Sequence, residues 1–114
     1  MAYDTHLADR IRNYLAELPL LQVEEKEMFK GVTFMVNGKM CVSVSGNDMM
    51  VRFDPALQAQ IAEENGFRPM MMKNKEYKGY GYIDADTIKT NSRFAYWIQL
   101  CLDYNPRAKA SNKK

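Results

Sequence analysis

The stretch from Met28 to Val44, MFKGVTFMVNGKMCVSV, limits what this chain can fold into more than any other segment. Two apolar runs with strand character are joined by Asn37-Gly38. A two-residue type I′ turn needs positive φ at both central positions, which Asn and Gly reach at little steric cost. The pair therefore predicts a β-hairpin at the centre of the fold, with strands over Val32–Val36 and Lys39–Ser45. No nucleophile, paired carboxylate or ligand cluster sits on it, so the hairpin carries architecture and not chemistry.

The sequence around the hairpin fills in an α+β chain. Leu7, Ile11, Tyr14, Leu15 and Leu18 recur at helical spacing and predict a helix from Asp4 or Thr5 to Leu18, closed by Pro19. Arg10, Arg12 and Glu17 are expected on its outer face. Val23–Phe29 alternates poorly and is charged, as an edge strand or a solvated run would be. Gly46-Asn47-Asp48 predicts a second turn, followed by a strand over Met49–Phe53. Asp54-Pro55 then sets up a short helix with Asp at the cap, Pro at the first helical position and Gly66 beyond its end. Leu57 and Ile61 supply its apolar stripe.

Arg68–Met72 and Tyr77–Ile83 predict two more strands around a lysine-rich turn. Gly79 and Gly81 point to a bulge or a close backbone approach. A last helix runs from about Ser92 to Tyr104 or Asn105. Phe94, Trp97, Ile98, Cys101 and Leu102 form its core stripe, and Tyr96, Leu100 and Tyr104 form a second apolar stripe. The predicted order is α-β-β-β-β-α-β-β-α, a mostly antiparallel sheet with flanking helices.

With 114 residues, 46% hydrophobic and 26% charged, the chain is the size and composition of one globular domain, assigned to residues 1–105. No run approaches the roughly 20 apolar residues of a spanning helix. The opening MAYDTHLADR is acidic where a secretion signal is basic and apolar, so a cytoplasmic location is expected. The net charge of +2 is concentrated in residues 106–114, which carry Arg107, Lys109, Lys113 and Lys114 and no acid. Without those four, twelve basic residues face fourteen acidic ones. The body thus lacks the basic footprint of a nucleic-acid binder, and the polar tail is expected to be disordered.

Groups that could carry chemistry are few. Cys41 and Cys101 fall in apolar contexts on a strand and a helix and are expected to be reduced core thiols. A disulfide between them would require that strand and helix abut with suitable Cβ geometry. Two Cys and one distant His do not make a zinc site. His6, in the first turn of a helix, has neither the partner nor the pocket that a general base needs. The acidic run Glu24–Glu27, broken by Lys26, and the pair Glu63-Glu64 read as solvated. Gly79-Tyr80-Gly81 lacks the third glycine and following helix of a dinucleotide fingerprint. No catalytic, cofactor-binding or metal-binding residue is assigned.

Two surface features stand out. Among nine methionines Met49-Met50 and Met70-Met71-Met72 stand out, and three in a row, Met70, Met71 and Met72, cannot all point inward on a strand. Together with Tyr96, Leu100 and Tyr104 they form a candidate interaction surface, since Met side chains adapt to irregular partners. The segment Lys73–Tyr82, KNKEYKGYGY, interleaves Lys73, Lys75 and Lys78 with Tyr77, Tyr80 and Tyr82, and the three lysines with Tyr77 and Tyr80 are a candidate contact for single-stranded nucleic acid. Lysines that block edge-to-edge pairing and tyrosines that cover the sheet explain the same pattern without a ligand.

Lys26-Glu27-Met28-Phe29, Gly31, Phe34-Met35-Val36, Asn37-Gly38-Lys39-Met40 and Met49–Arg52 together resemble the TfoX N-terminal domain family. Arg68-Pro69-Met70, Gly81-Tyr82 and Trp97 add to the likeness, which extends to about Leu102. The resemblance implies an α+β fold similar to the secretion-chaperone-like group, often paired as dimers. The family is named for bacterial regulators of natural competence, whose full-length members carry a second, C-terminal domain. A stand-alone N-terminal domain is therefore expected here, with no catalytic residues to carry over. The resulting expectation is a non-enzymatic cytoplasmic interaction module without cofactor, homodimeric and regulatory. The alternative is a weak nucleic-acid-binding accessory that uses Lys73–Tyr82 and the basic tail.

Overall fold

The first helix starts where its cap places it. In the computed structural model, which describes residues 3–18, 21–28 and 31–108 and gives Met28 and Met72 in backbone alone, α1 spans Thr5–Ala16. Asp4 Oδ1 accepts a hydrogen bond from the Leu7 N–H at 3.1 Å, as an N-cap carboxylate should. The expectations placed on Pro19, Phe29 and residues 109–114 lie outside the described residues.

Six strands follow in one antiparallel sheet, ordered β1-β2-β3-β4-β6-β5. They are β1 (Val23–Met28), β2 (Gly31–Val36), β3 (Lys39–Ser45), β4 (Asp48–Arg52), β5 (Phe67–Met72) and β6 (Lys75–Asp84). Between β4 and β5 lie a 3-10 turn over Pro55–Leu57 and the one-turn helix α2 (Gln58–Ile61). The last helix, α3, spans Asn91–Tyr104 and is capped by the Thr90 hydroxyl, which accepts from the Arg93 N–H. The order predicted from the sequence is the order found.

The central hairpin has its predicted geometry. Asn37 and Gly38 take φ of 53° and 82°, and Val36 pairs with Lys39. Asn37 also anchors the edge, because its Oδ1 accepts from the Gln22 N–H and its own N–H donates to the Gln22 carbonyl. The β2–β3 register shifts between Phe34 and Met35, leaving Cys41 as an extra residue on β3. That bulge lets Cys41 and Val42, which are adjacent in sequence, both enter the core. β1 is an exposed edge strand, as its charges foretold.

One face of the sheet carries the core. Val32, Phe34, Val36, Val44, Met49, Val51 and Ile83 pack with Leu7, Ile11 and Leu15 of α1 and with Phe94, Trp97, Ile98 and Cys101 of α3. Leu102, expected in the same stripe, is only half-buried. Arg10 departs from its expected outer position. Its guanidinium lies 4.1 Å from the Phe94 ring centroid, and Nη1 donates to the Ile88 carbonyl at 2.8 Å. The long apolar stem of an arginine can lie across a neighbouring helix while its head finds acceptors. Arg12 stays outside, paired with Glu25 and Asp9.

Order continues past residue 105. Asn105–Arg107 form a 3-10 turn, and Asn105 is buried with its Nδ2 donating to the Val36 carbonyl at 3.1 Å. Lys39 Nζ donates to the carbonyls of Asn105 and Pro106, Arg107 pairs with Asp54 at 2.8 Å, and Ala108 is buried. The first residues of the expected disordered tail are therefore docked. Lys39, the Val36 carbonyl and Asp54 hold them.

Candidate functional site

The sheet face opposite the helices holds the most distinctive surface of the molecule. Since Met49 and Val51 point into the core, Met50 and Arg52 point away from it, and so do their cross-strand partners Tyr82 and Tyr80. Ser43 pairs with Met50 and with Thr33, whose Oγ1 accepts from Ser43 Oγ at 2.9 Å within a buried polar patch. Beside this patch lies a groove of about 540 Å³. Met40, Ser45 and Met50 line it on the sheet side, with Met70 and Met71 from β5 and Tyr77, Tyr80 and Tyr82 from β6.

A backbone irregularity builds the groove. Pro69 pairs with Gly81 and Met70 with Tyr77, so Lys78, Gly79 and Tyr80 have no partner on β5. Strict alternation would send Tyr77 and Tyr80 to opposite faces. The bulge, with Gly79 at φ 90°, brings them to the same side, where their rings stack with centroids 4.8 Å apart. Gly79 passes close to the segment after β4: an added Cβ would lie 3.0 Å from the Phe53 carbonyl oxygen and from Pro55. At Gly81 an added Cβ would fall 2.2 Å from the Phe67 ring. Both expectations for this glycine pair, bulge and close approach, hold.

Electrostatically the groove is apolar in the middle and charged at its ends. Arg52, nearly buried, sits 5.6 Å from the Tyr80 ring, and its Nη1 donates to the Met40 carbonyl. Burial pushes the Tyr80 hydroxyl above its ordinary range, and the Arg52 charge opposes that shift. At the hairpin tip Lys73, Lys75 and Lys78 are exposed. At the other end of the strands Asp4, Asp48, Asp84 and Asp86 surround a depression of about 430 Å³. Arg68 bridges Asp48 at 2.7 Å and Asp84 at 3.1 Å, with its guanidinium over Tyr82.

The structure thus joins residues that the sequence had assigned to two separate surfaces. Met70 and Met71 share the groove with Tyr77 and Tyr80, and the three lysines are exposed on the same β5–β6 hairpin. The α3 stripe is not part of it. Tyr96 packs edge-on against Trp97 and donates to Glu64, with its hydroxyl raised above the usual range by burial and then by Glu64. Leu100 is half-buried against the core, and Tyr104 lies under Arg107. The Met72 side chain lies outside the described residues. Met40 and Ser45 complete the lining and were missed, as was Arg52 beside Tyr80, while Met50 and Tyr82 were noted in the sequence but not assigned to a surface. The alternation argument applied to Met70–Met72 would have found Met50, because Met49-Met50 cannot both point inward.

Catalytic furniture is sparse. His6 is exposed in the first turn of α1. Among the described residues, no group of three or more His, Cys, Asp or Glu could hold a metal ion, and no helix is long and apolar enough to cross a membrane.

Compared with known families, residues 13–104 match the TfoX N-terminal domain. The chain belongs to the TfoX N-terminal domain family. The match runs from the middle of α1 to the end of α3, so all six strands and the whole Met/Tyr groove lie within the TfoX N-terminal domain. No curated protein and no solved structure matches the chain.

Proposed function

We propose that this TfoX N-terminal domain is a non-enzymatic, cytoplasmic interaction module that acts as a homodimer in a regulatory role resembling that of bacterial competence regulators. The observation that carries the reading is the Met/Tyr groove on the sheet face that, among the described residues, no helix covers. Exposed apolar surface gathered in one place marks a contact far more often than surface scattered singly. Methionine and tyrosine suit that use, the one by adapting its shape and the other by offering a rigid ring with a polar tip. The test is light scattering after size exclusion at micromolar concentration. The expected mass is about twice that of the chain, and Met71→Asp with Tyr77→Asp should return it to one chain. A monomeric parent protein would remove the homodimer from this reading.

A second reading is favoured by the stacked Tyr77–Tyr80 pair between exposed lysines. Rings beside positive charge are how single-strand binders hold successive bases. The body of the chain carries more acid than base, so binding is weak, sequence-independent and lost as salt rises. Fluorescence anisotropy with short single- and double-stranded oligonucleotides at two salt concentrations separates the readings. Submicromolar, sequence-dependent binding at physiological salt would put nucleic acid first.

A further inference from the structure

We propose that the groove is itself the dimer contact. Two copies meet sheet face to sheet face about a twofold axis that runs across the strands, so that the lysine-bearing β5–β6 tip of each lies over the aspartate-bearing end of the other. The inference rests on the homodimer reading above and adds to it which face, which axis and which charges.

The first support is where apolar side chains are left in water. Among the described residues, the large hydrophobics classed as exposed are Val23, Met71 and Tyr77, at 37%, 56% and 47%. The last two form the lip of the groove, and both belong to the β5–β6 hairpin. Val23 stands apart on the acidic edge strand β1.

The second support is the charge layout along the strands. β6 runs from Lys75 to Asp84, roughly 30 Å at the usual strand rise, which is several screening lengths at physiological salt. The two ends therefore act as separate charges. Lys73, Lys75 and Lys78 dominate one end, where Glu76 is engaged by Gln58. Asp4, Asp48, Asp84 and Asp86 outnumber the cations at the other, where Arg68 is engaged by Asp48 and Asp84 and Lys89 lies 3.8 Å from Asp86. Lys75 has the same strand parity as Tyr77, so it stands on the groove side.

Symmetry then selects the arrangement. A twofold contact presents the same patch from both copies. An axis along the strands would stack lysine end on lysine end, which like-charge repulsion opposes. An axis across the strands exchanges the ends and keeps groove over groove. Edge-to-edge pairing fares worse: two β1 edges would bring Glu24, Glu25 and Glu27 together, and β5 carries Pro69, which has no N–H to donate.

The test uses two charge-reversed variants of the full chain, Lys75→Glu/Lys78→Glu and Asp84→Lys/Asp86→Lys, measured by light scattering beside the parent protein. Each variant alone should fall to about half the parent's mass. Mixed in equal amounts they should regain it, because both end contacts are then between opposite charges, and added salt should weaken the mixed dimer. Parent dimers with both variants still dimeric, or a mixture that stays monomeric, would overturn this interface while leaving the homodimer reading in place. A monomeric parent would overturn both. Urea unfolding of each variant checks its fold, and single Lys75→Glu and Asp86→Lys variants replace any double variant that does not fold.

Discussion

The side chain of Gln58 accepts a 3.0 Å hydrogen bond from the backbone N–H of Gly79, joining α2 to the bulge of β6. The bulge strips Gly79 of its β5 partner, and a buried N–H left unpaired is costly. Gln58 fills that vacancy with Oε1 while its Nε2 donates to Glu76 on the same strand. On the other side, the Gly79 carbonyl accepts from the Phe53 N–H at 2.8 Å. The geometry that brings Tyr77 and Tyr80 together therefore depends on one buried glutamine from outside the sheet.

Gln58→Ala should destabilise the fold by about 1–3 kcal/mol, the range for orphaning a buried donor. The same change should loosen the tyrosine stack, visible as greater mobility of the Tyr77 and Tyr80 ring signals in NMR. Urea unfolding measures the first effect. A loss below about 0.5 kcal/mol would mean that water replaces the amide without penalty.

Trp97 is fully buried, stacked on Phe67 at 6.1 Å and met edge-on by Tyr96 at 5.1 Å. Trp97→Ala should destabilise by roughly 3–5 kcal/mol, the range for emptying a large aromatic site. Its indole N–H has no hydrogen-bond partner among the described residues, so Trp97→Phe sacrifices packing but no such bond and should lose clearly less. Equal losses for the two variants would show that the indole N–H is in fact satisfied.

How far the sequence reached is best seen at the two I′-like turns. Asn37-Gly38 was legible because its residue types are those the turn demands. Lys73-Asn74 adopts φ of 52° and 65° with neither a glycine nor an ideal first residue, and the sequence showed only a lysine-rich turn. Gln58 was invisible for another reason. Its role depends on a bulge 21 residues away, and local pattern reading does not reach a contact between a polar side chain and a distant backbone. Arg10 was placed outward because it is charged, whereas its guanidinium lies over the Phe94 ring. The groove was half legible: alternation required that some methionine leave the core, but the sequence alone could not pair β5 with β6 and bring Met71 beside Tyr77.

The turns give opposite predictions. Gly38→Val should be strongly destabilising, since a β-branched residue is strained at a φ of 82° although nothing else crowds the site. Asn37→Asp should be mild, because Asp tolerates the position and its carboxylate can still accept from Gln22. Asn74→Gly should raise stability by about 0.5–1 kcal/mol by relieving a left-handed non-glycine residue. Thermal melts of the three variants check the order, and a Gly38→Val protein with an unchanged melting temperature would rule out a turn that needs glycine.

Cys41 and Cys101 meet in the core, one from the β3 bulge and one from the last turns of α3, and both are buried free thiols. Burial, and after it the neighbouring Cys41, pushes the Cys101 thiol well above its ordinary range. Thiolate is the reactive form, so neither burial nor protonation favours attack by an external reagent. In the native protein a disulfide reagent such as DTNB at pH 8 should modify both cysteines together, at a rate set by opening of the fold. Urea beyond the unfolding transition should speed the reaction about a thousand-fold or more. The same shift fixes a sign for stability. The folded state holds the Cys101 proton more tightly than the unfolded chain does, so this contribution is complete below the unfolded thiol's pKa, about 8.5, and is lost as pH rises past it. Tyr80 and Tyr96, also raised, add to the fall from about pH 10. Between pH 8 and 9.5 the unfolding free energy should therefore decline in the parent protein and stay flatter in Cys101→Ala, measured against that variant's own value at pH 7. Rapid titration of one native thiol at pH 8, or an identical pH slope in the two proteins, would show that Cys101 is open to water.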